Sequence, residues 1–497
     1  MMRNEKNKKV MLIFPPVVFS PESPKQIMPP LGIAYLAAYL RDDYEVRLLD
    51  AAVEGYNQER RLANGLFCYG LSFSQIKKQI IDFQPDFVGI SCLYSSQFSV
   101  VSQICTDIKN ISRDMITIVG GSHPSFLAKK CLENEQIDFI ILGEGEETFK
   151  NLLAEITNKQ DYSNIDGVAF KHKGKVQVNP KTLWIEDIDS IPFPARDLLA
   201  LDKYYRIGLP MGLISRQTPA MNMITSRGCP FECAFCSSCN FWGRKYRPRS
   251  VENVIKEMQQ LKAMGIKEIK FFDDNLTLDK IRAKQLFQSM IDHKFNFTWN
   301  TPNGLAPQTL DPEMISLMKQ SGCYEITLAV ESGDQDILRN VLKKPTDLNQ
   351  IEAITRIIKA YDIDTYGFFI IGFPQETKAQ IFKTLRFMNK LALDRVSLFI
   401  ANPLPGTQML EYCRQKGYLK DLDDSGLDYF QSKFQTEEFD SKFLEHTRRN
   451  WYWAYNLKLI LRNPFKFFQK YNIFIFRKPL FLLRAIFHKL LIPMLKT

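Results

Sequence analysis

Arg227-Gly228-Cys229-Pro230-Phe231-Glu232-Cys233-Ala234-Phe235-Cys236 sets three cysteines at x3 and x2 spacing just after an apolar, strand-like run over residues 221–225. Three thiols on one loop can converge on a single metal centre, and thiolates suit iron–sulfur clusters and zinc. A structural zinc site takes a fourth protein ligand, and Cys239 is near enough to supply it. Three thiolates alone would leave one iron of a 4Fe-4S cluster open to an exchangeable ligand. The spacing by itself leaves both readings standing.

The strand before the loop opens an alternating series. Short runs over residues 221–225, 268–272, 296–300, 325–330, 365–371 and 396–400 are separated by helix-length segments. Ser250 and Asp311-Pro312 carry helix-start signals, and Gly322 is a natural stop. Six strand–helix units predict a partial (β/α)6 barrel over residues 216–425, although periodicity alone also allows a Rossmann sheet. The front of the chain has the same rhythm, with short runs over residues 10–14, 46–49, 87–91, 116–119 and 139–142. These predict a doubly wound, Rossmann-like α/β domain over residues 1–150, whose ligands would sit at the carboxyl ends of the strands. Residues 151–215, loosened by Gly and Pro, read as a connector, and residues 426–497 as a helical tail.

Composition sets limits. With 497 residues, 45% hydrophobic and 24% charged, the chain has material for about two to four domains and is not disordered in character. Ten cysteines spread over such a length, after a polar start, predict a reducing cytoplasmic setting where clustered thiols ligate metals. The net charge of +10 is concentrated at the end: from Trp451 onward there is no Asp or Glu, against nine Lys and Arg. A nucleic-acid enzyme would carry its basic charge on the catalytic face, so that class is not favoured.

The cysteine loop resembles the signature of the radical S-adenosylmethionine (SAM) superfamily, Cys-x3-Cys-x2-Cys with an aromatic, here Phe235, before the last cysteine. The resemblance implies that Cys229, Cys233 and Cys236 hold a 4Fe-4S cluster. Its open iron would bind the amino and carboxylate groups of SAM, whose one-electron cleavage yields a 5′-deoxyadenosyl radical. Later segments match the same family in order. Phe272-Asp273-Asp274-Asn275 stands where the SAM amino group is bound, and a carboxylate there can pair with an ammonium. Glu331-Ser332-Gly333 stands where the ribose is held, and residues 367–376, including Gly372, where adenine packs. Phe235, Asp273, Asp274, Glu331, Ser332 and Gly372 are therefore the expected SAM contacts, and Cys239 a free thiol or substrate-loop residue.

The front domain resembles the cobalamin-binding domain of a radical SAM subgroup. Ser91-Cys92-Leu93, then 26 residues, then Gly120-Gly121 is similar to the latter part of the cobalamin motif, where small residues line a slot for the nucleotide tail. Residues 29–36, Gly120-Gly121-Ser122-His123-Pro124 and Gly143-Glu144-Gly145-Glu146 look like the same subgroup. Ser91, Leu93, Gly120, Gly121, His123, Gly143 and Glu144 are the expected cobalamin contacts. The Asp-x-His-x-x-Gly element that ligates cobalt in many cobalamin proteins is missing, Phe14-Pro15-Pro16 standing in its place. His123 is accordingly expected as a tail or loop contact, not a cobalt ligand.

The resemblance covers about residues 9–419 and implies an enzyme with three cofactors: a 4Fe-4S cluster, SAM and cobalamin. The implied reaction is methylation of an unactivated carbon of a small-molecule or lipid substrate, fed by a reductase or a flavodoxin- or ferredoxin-like electron donor. Its rivals are a radical cyclase like the anaerobic magnesium-protoporphyrin ester cyclase and a non-catalytic cobalamin or iron–sulfur sensor. A methylthiotransferase fits less well, because Cys92, Cys105 and Cys131 are too scattered for a second cluster. The tail lacks the roughly 18 uncharged apolar residues that span a bilayer. It reads either as helices packed on the barrel or as a surface contact with anionic lipid.

Overall fold

The computed structural model describes residues 8–20, 25–62, 65–158, 161–208, 215–391, 393–419 and 432–462. Strands β1 (Lys9–Phe14), β2 (Glu45–Asp50), β3 (Phe87–Ser91), β4 (Ile116–Gly120) and β5 (Phe139–Ile141) form a parallel sheet in the order β5-β4-β3-β1-β2. Alternate side chains of β1 face opposite ways, as a pleated strand requires. Val10 and Leu12 pack with helices α1 (Leu31–Leu40) and α5 (Glu146–Asn158), while Met11 and Ile13 join α2 (Phe73–Phe83), α3 (Phe98–Ile111) and α4 (Ser122–Cys131). Both faces are covered, which makes the domain doubly wound. Its sheet runs on past β5 into the antiparallel pair β6 (Val168–His172) and β7 (Lys175–Val178), so part of the stretch read as connector belongs to this sheet.

The second series forms one parallel sheet whose spatial order is its chain order: β8 (Ala220–Met223), β9 (Glu268–Phe271), β10 (Thr298–Asn300), β11 (Cys323–Glu331), β12 (Asp364–Ile371) and β13 (Arg395–Ile400). A Rossmann sheet reverses direction at a switch point; this sheet does not, and it is the partial barrel. Ile269, Phe271, Trp299, Ile326, Leu328, Phe369 and Leu398 face outward into one core. That core also takes the buried faces of α6 (Val251–Ala263), α7 (Lys280–Asp292), α8 (Pro312–Gln320), α9 (Leu348–Ala360) and α10 (Lys378–Lys390). Ser250 caps α6 by accepting from the Asn253 N–H, and Asp311 caps α8 from Met314, as their sequence signals predict.

The inward positions near the strand starts are polar. Lys270 Nζ lies 3.0 Å from Glu268 Oε1, Tyr324 donates to the same oxygen at 2.9 Å, and Arg395 pairs with Glu325. Lys270 and Glu268 are fully buried, and burial lowers the Lys270 pKa against the pull of Glu268. Charges this deep persist only when paired, so the network closes the narrow end of the barrel.

An open barrel leaves β13 with an unpaired edge, which natural sheets cover. Here α12 (Ser441–Arg462) covers it: the Leu398 N–H donates to Tyr452 Oη and Arg448 Nε donates to the Leu398 carbonyl, each at 2.8 Å. Leu398 is fully buried, so its amide has no recourse to water. Tyr452→Phe is expected to lower unfolding free energy by about 1–3 kcal/mol, read from chemical denaturation, because it orphans this N–H.

Candidate active site between the two sheets

The cysteine loop is fastened before it begins. Asp273, buried at the end of β9, accepts from the Thr225 N–H at 3.1 Å, Thr225 Oγ1 at 2.7 Å and Ser226 Oγ at 2.5 Å. Ser226–Arg227 then pairs antiparallel with Arg247–Pro248. Gly228 follows at φ +84°, and a Cβ there would meet the Lys245 carbonyl oxygen at 2.2 Å, so only glycine fits. Within the loop the Cys236 N–H donates to the Cys233 carbonyl at 2.9 Å and the Ser238 N–H points at Cys236 Sγ at 3.5 Å. Ala234 is gripped from both sides, its N–H by the Leu342 carbonyl at 3.2 Å and its carbonyl by the Met409 N–H at 2.9 Å.

Cys229, Cys233 and Cys236 are half-buried, whereas Cys68, Cys92, Cys105, Cys131, Cys239, Cys323 and Cys413 are buried. Burial pushes the free thiols up, to about 11 at Cys233 and about 12 at Cys236, so metal must displace protons to bind. Among the described residues no three His, Cys, Asp or Glu side chains lie close enough to hold a single ion. A tetrahedral zinc would need its sulfurs roughly 3.8 Å apart. Three half-buried thiols on one loop are a donor set that suits an iron–sulfur cluster. Cys239 lies in the short helix Ser238–Trp242, its thiol directed at Asn240 Oδ1.

The expected SAM contacts divide. Phe235 packs against Phe373 with ring centroids 5.9 Å apart. Asp274 is open to solvent and accepts from Ser238 Oγ, yet desolvation raises its carboxyl; a group both reachable and surrounded lines a deep cleft. Glu331 closes β11 in a left-handed backbone conformation, φ +70°, which costs a non-glycine residue free energy and recurs at functional sites. Its carboxylate takes Lys344 Nζ at 3.0 Å. Two of the expected contacts also carry internal hydrogen bonds. Asp273 accepts from Thr225 and Ser226 and acts as the anchor of the loop. Ser332, fully buried, is bonded to Thr384 Oγ1 at 3.1 Å and to the Asp334 N–H. Gly372 and Phe373 present their N–H groups to Glu376 Oε2 at 2.7 and 3.1 Å, which fixes the turn after β12.

On the cobalamin side, Ser91 ends β3, and Leu93 and Tyr94 stand accessible just beyond it, 40% and 45% exposed. Tyr94 repeats the signature of Asp274, with a hydroxyl raised by desolvation despite its exposure. Gly120 leads to Gly121 at φ +111°, where a Cβ would strike the Cys92 carbonyl oxygen at 2.6 Å. The small residues thus serve a close approach of two strand ends. His123 is buried, with Nδ1 2.9 Å from Ser95 Oγ and its ring on Phe98, so it faces the protein and braces the loop after β3. Gly143 donates its N–H to Ser125 Oγ at 2.9 Å and abuts the Phe241 carbonyl.

The Glu144 carboxylate lies in the domain interface. It accepts from Arg227 Nη1, from Arg247 Nη1 at 2.8 Å and from the Ile185 N–H at 2.9 Å, while Glu146 takes Arg227 Nη2 at 2.7 Å. Burial alone would push the Glu144 carboxyl up; the two guanidiniums reverse that and hold it below its ordinary value. On the other side Phe126, beyond β4, packs on Gly406, beyond β13. The loops beyond the carboxyl ends of both parallel sheets therefore meet, which brings the cysteine loop and the β3–β4 glycines to the same side of the molecule. The roles of Arg227 and Arg247 emerge only from the structure, since no spacing rule pairs residues 83 and 103 positions apart; no sequence motif singles out those of Lys344, Glu376 and Tyr94.

Fold and site together define a cobalamin-binding radical SAM protein. The B12 binding domain model matches residues 22–153 and the radical SAM superfamily model residues 223–388. The chain is 32% identical to an uncharacterized methyltransferase of Pyrococcus horikoshii, across 92% of this chain and 95% of the relative. It is 31% identical to the cytidylyl-2-hydroxyethylphosphonate methyltransferase of Streptomyces wedmorensis, across 83% and 82%. Among solved structures, the cobalamin-dependent SAM radical enzyme OxsB with aqua-cobalamin bound has the same fold, with a TM-score of 0.68 at 20% identity over 89% of this chain and 66% of that one. The chain belongs to the cobalamin-dependent radical SAM methyltransferase family, and its cofactors are a 4Fe-4S cluster, SAM and cobalamin.

Glu376 supplies a pH prediction. It is buried, and burial raises its carboxyl to about 8 against the two N–H groups it accepts. A folded-state pKa raised above the unfolded value gives stability that is complete below the ordinary carboxyl range and lost as pH rises through about 8. The thermal midpoint of the wild-type chain should fall between pH 7 and 9, and Glu376→Gln, which keeps the acceptor, should flatten that fall.

Proposed function

We propose that the chain methylates an unactivated carbon of a small-molecule or lipid substrate held between the two sheets. The observation that carries the reading is that the loops beyond the carboxyl ends of the two sheets touch, Gly143 against the Phe241 carbonyl and Phe126 against Gly406, so the cysteine loop and the ends of β3 and β4 belong to one region. Cys229, Cys233 and Cys236 would hold the cluster, with Phe235, Asp274, Glu331 and Gly372 around SAM. Ser91, Leu93, Gly120 and Gly121 would border cobalamin. When bound, these groups supply one-electron cleavage of SAM and carriage of a methyl group. The chain's own part is to grip, orient and exclude: Asp273 and the Ala234 contacts fix the loop, and the Glu144 clamp holds the two domains at one spacing. A one-electron donor, either a reductase or a small flavodoxin- or ferredoxin-like protein, completes the cycle.

Anaerobically reconstituted protein given SAM deuterated in its methyl group should pass the label to a compound from the host's small-molecule or lipid extract. Formation of 5′-deoxyadenosine with an unlabelled product would replace this reading with cyclisation or rearrangement. Cys229→Ala, Cys233→Ala and Cys236→Ala should each lose the visible absorbance of the cluster and all 5′-deoxyadenosine, while Cys239→Ser keeps both.

A membrane surface is part of this reading. On α12, Trp453, Leu457 and Leu461 recur every fourth residue and are 40%, 57% and 75% exposed. The sequence then continues, over residues 463–497, without an acidic residue; those positions lie outside the described residues. No helix among the described residues is long and apolar enough to cross a membrane. The stripe and the basic tail suit the surface of anionic lipid. The full chain should sediment with phosphatidylglycerol vesicles and not with phosphatidylcholine vesicles; equal partition to both would refute the contact.

A further inference from the structure

The segment that follows β11 brings two consecutive lysines to opposite fates. Leu342 gives its carbonyl to the Ala234 N–H inside the cysteine loop, at 3.2 Å. Lys343, exposed and at φ +55°, reaches out to Gln408 Oε1 at 2.8 Å, beside the Met409 that grips the other side of Ala234. Lys344 turns inward. Its N–H donates to the Leu338 carbonyl at 2.8 Å, and its Nζ donates to the Ala329 carbonyl at 2.6 Å and to Glu331 Oε1 at 3.0 Å. The Lys344 and Glu331 side chains are 6% and 8% exposed. A buried ammonium and carboxylate thus stand two residues from the Leu342 carbonyl that holds the cysteine loop at Ala234, in a low-dielectric layer where fixed charge acts strongly.

On the open side Asp274 accepts from Ser238 Oγ, and the N–H of the same serine points at Cys236 Sγ, so a carboxylate also stands one residue away from the loop's last thiol. The potential of a cluster follows its net charge, the hydrogen bonds to its sulfurs and its exposure to solvent. An added electron makes the cluster more negative, so a nearby buried cation stabilises the reduced form and a nearby anion destabilises it.

We infer that Lys344 is a positioning charge that sets how readily the cluster on Cys229, Cys233 and Cys236 accepts its electron, with Glu331 as the opposing weight. The inference rests on the reading of those cysteines as cluster ligands. Lys344 is bonded to the end of β11 through Ala329 and Glu331, and Leu342, two residues earlier, is bonded to the cysteine loop, so the backbone between them fixes where the charge sits.

The test is a redox titration of the full-length, anaerobically reconstituted protein without SAM, followed by electron paramagnetic resonance of the reduced cluster. At a fixed potential near the wild-type midpoint, Lys344→Met should lower the ratio of reduced to oxidised cluster roughly tenfold, a shift of about 59 mV for one electron. Lys344→Arg should keep the wild-type midpoint, and Glu331→Gln should move it the opposite way. Opposite signs separate electrostatics from damage, because a merely structural pair would shift both variants alike or neither. Wild-type midpoints in Lys344→Met and Glu331→Gln, at full iron and sulfide content, would overturn the inference, as would shifts of one sign. If Lys344→Met does not fold, the upward shift in Glu331→Gln and the unmoved Lys344→Arg decide alone. Wild-type protein that takes up no cluster would instead remove the cysteine assignment on which the inference stands.

Discussion

The structure turns on Arg227. It sits two residues before Cys229, is 5% exposed, and spreads its guanidinium between Glu144 and Glu146 of the other domain, with Tyr35 and Trp242 on its faces at 5.2 and 5.0 Å. Planar, delocalised and always charged, arginine suits such a buried fork where lysine would not. Ion pairs this deep add little net stability when complete, but loss of one partner strands the other and costs about 3–5 kcal/mol. Their value lies in geometry. The pairs hold the cobalamin-binding domain against the residue that opens the cysteine loop, so the spacing of the two domains is fixed by side chains rather than by a flexible linker.

A second set of buried charges repeats the principle lower in the barrel. Glu257 takes Arg196 at 2.7 Å and also Arg249, while Arg282 donates to the Arg249 and Thr225 carbonyls at 2.7 and 2.9 Å. Arg196 comes from the segment between the domains and donates to the Asn222 carbonyl of β8 at 2.9 Å; Asn222 in turn donates to the Pro29 carbonyl. That segment, which composition marks as loose, is stapled to both neighbours at once. Its Gly and Pro content describes a chain without regular elements, not one without fixed contacts.

How much was legible follows from the range of each interaction. Strands and helices are written in local periodicity, so all eleven predicted strand runs meet a strand of the parallel sheets, with ends differing by a few residues. The cysteine triplet is equally local. Side-chain roles are not. Asp273 and Ser332 sit where a family pattern puts ligand contacts, and the fold also bonds them to Thr225, Ser226, Thr384 and Asp334, partners that no local pattern announces. Glu144 lies in a run that looks like a cofactor turn, and only the fold brings Arg227 and Arg247 to it across 83 and 103 positions of chain. Conversely, the clustered polar residues at the strand starts of the barrel gave no signal in the sequence, because each strand contributes only one or two of them.

The helix laid along β13 has a broader implication. It satisfies one strand's outward amide and carbonyl with a phenol and a guanidinium, and it tucks Leu444 under Gly372 without adding a strand. A wall made this way is modular: its inner surface can be rewritten residue by residue while hydrogen bonding in the sheet stays untouched. Sequence can therefore drift along that edge at small cost to the scaffold that carries the radical chemistry.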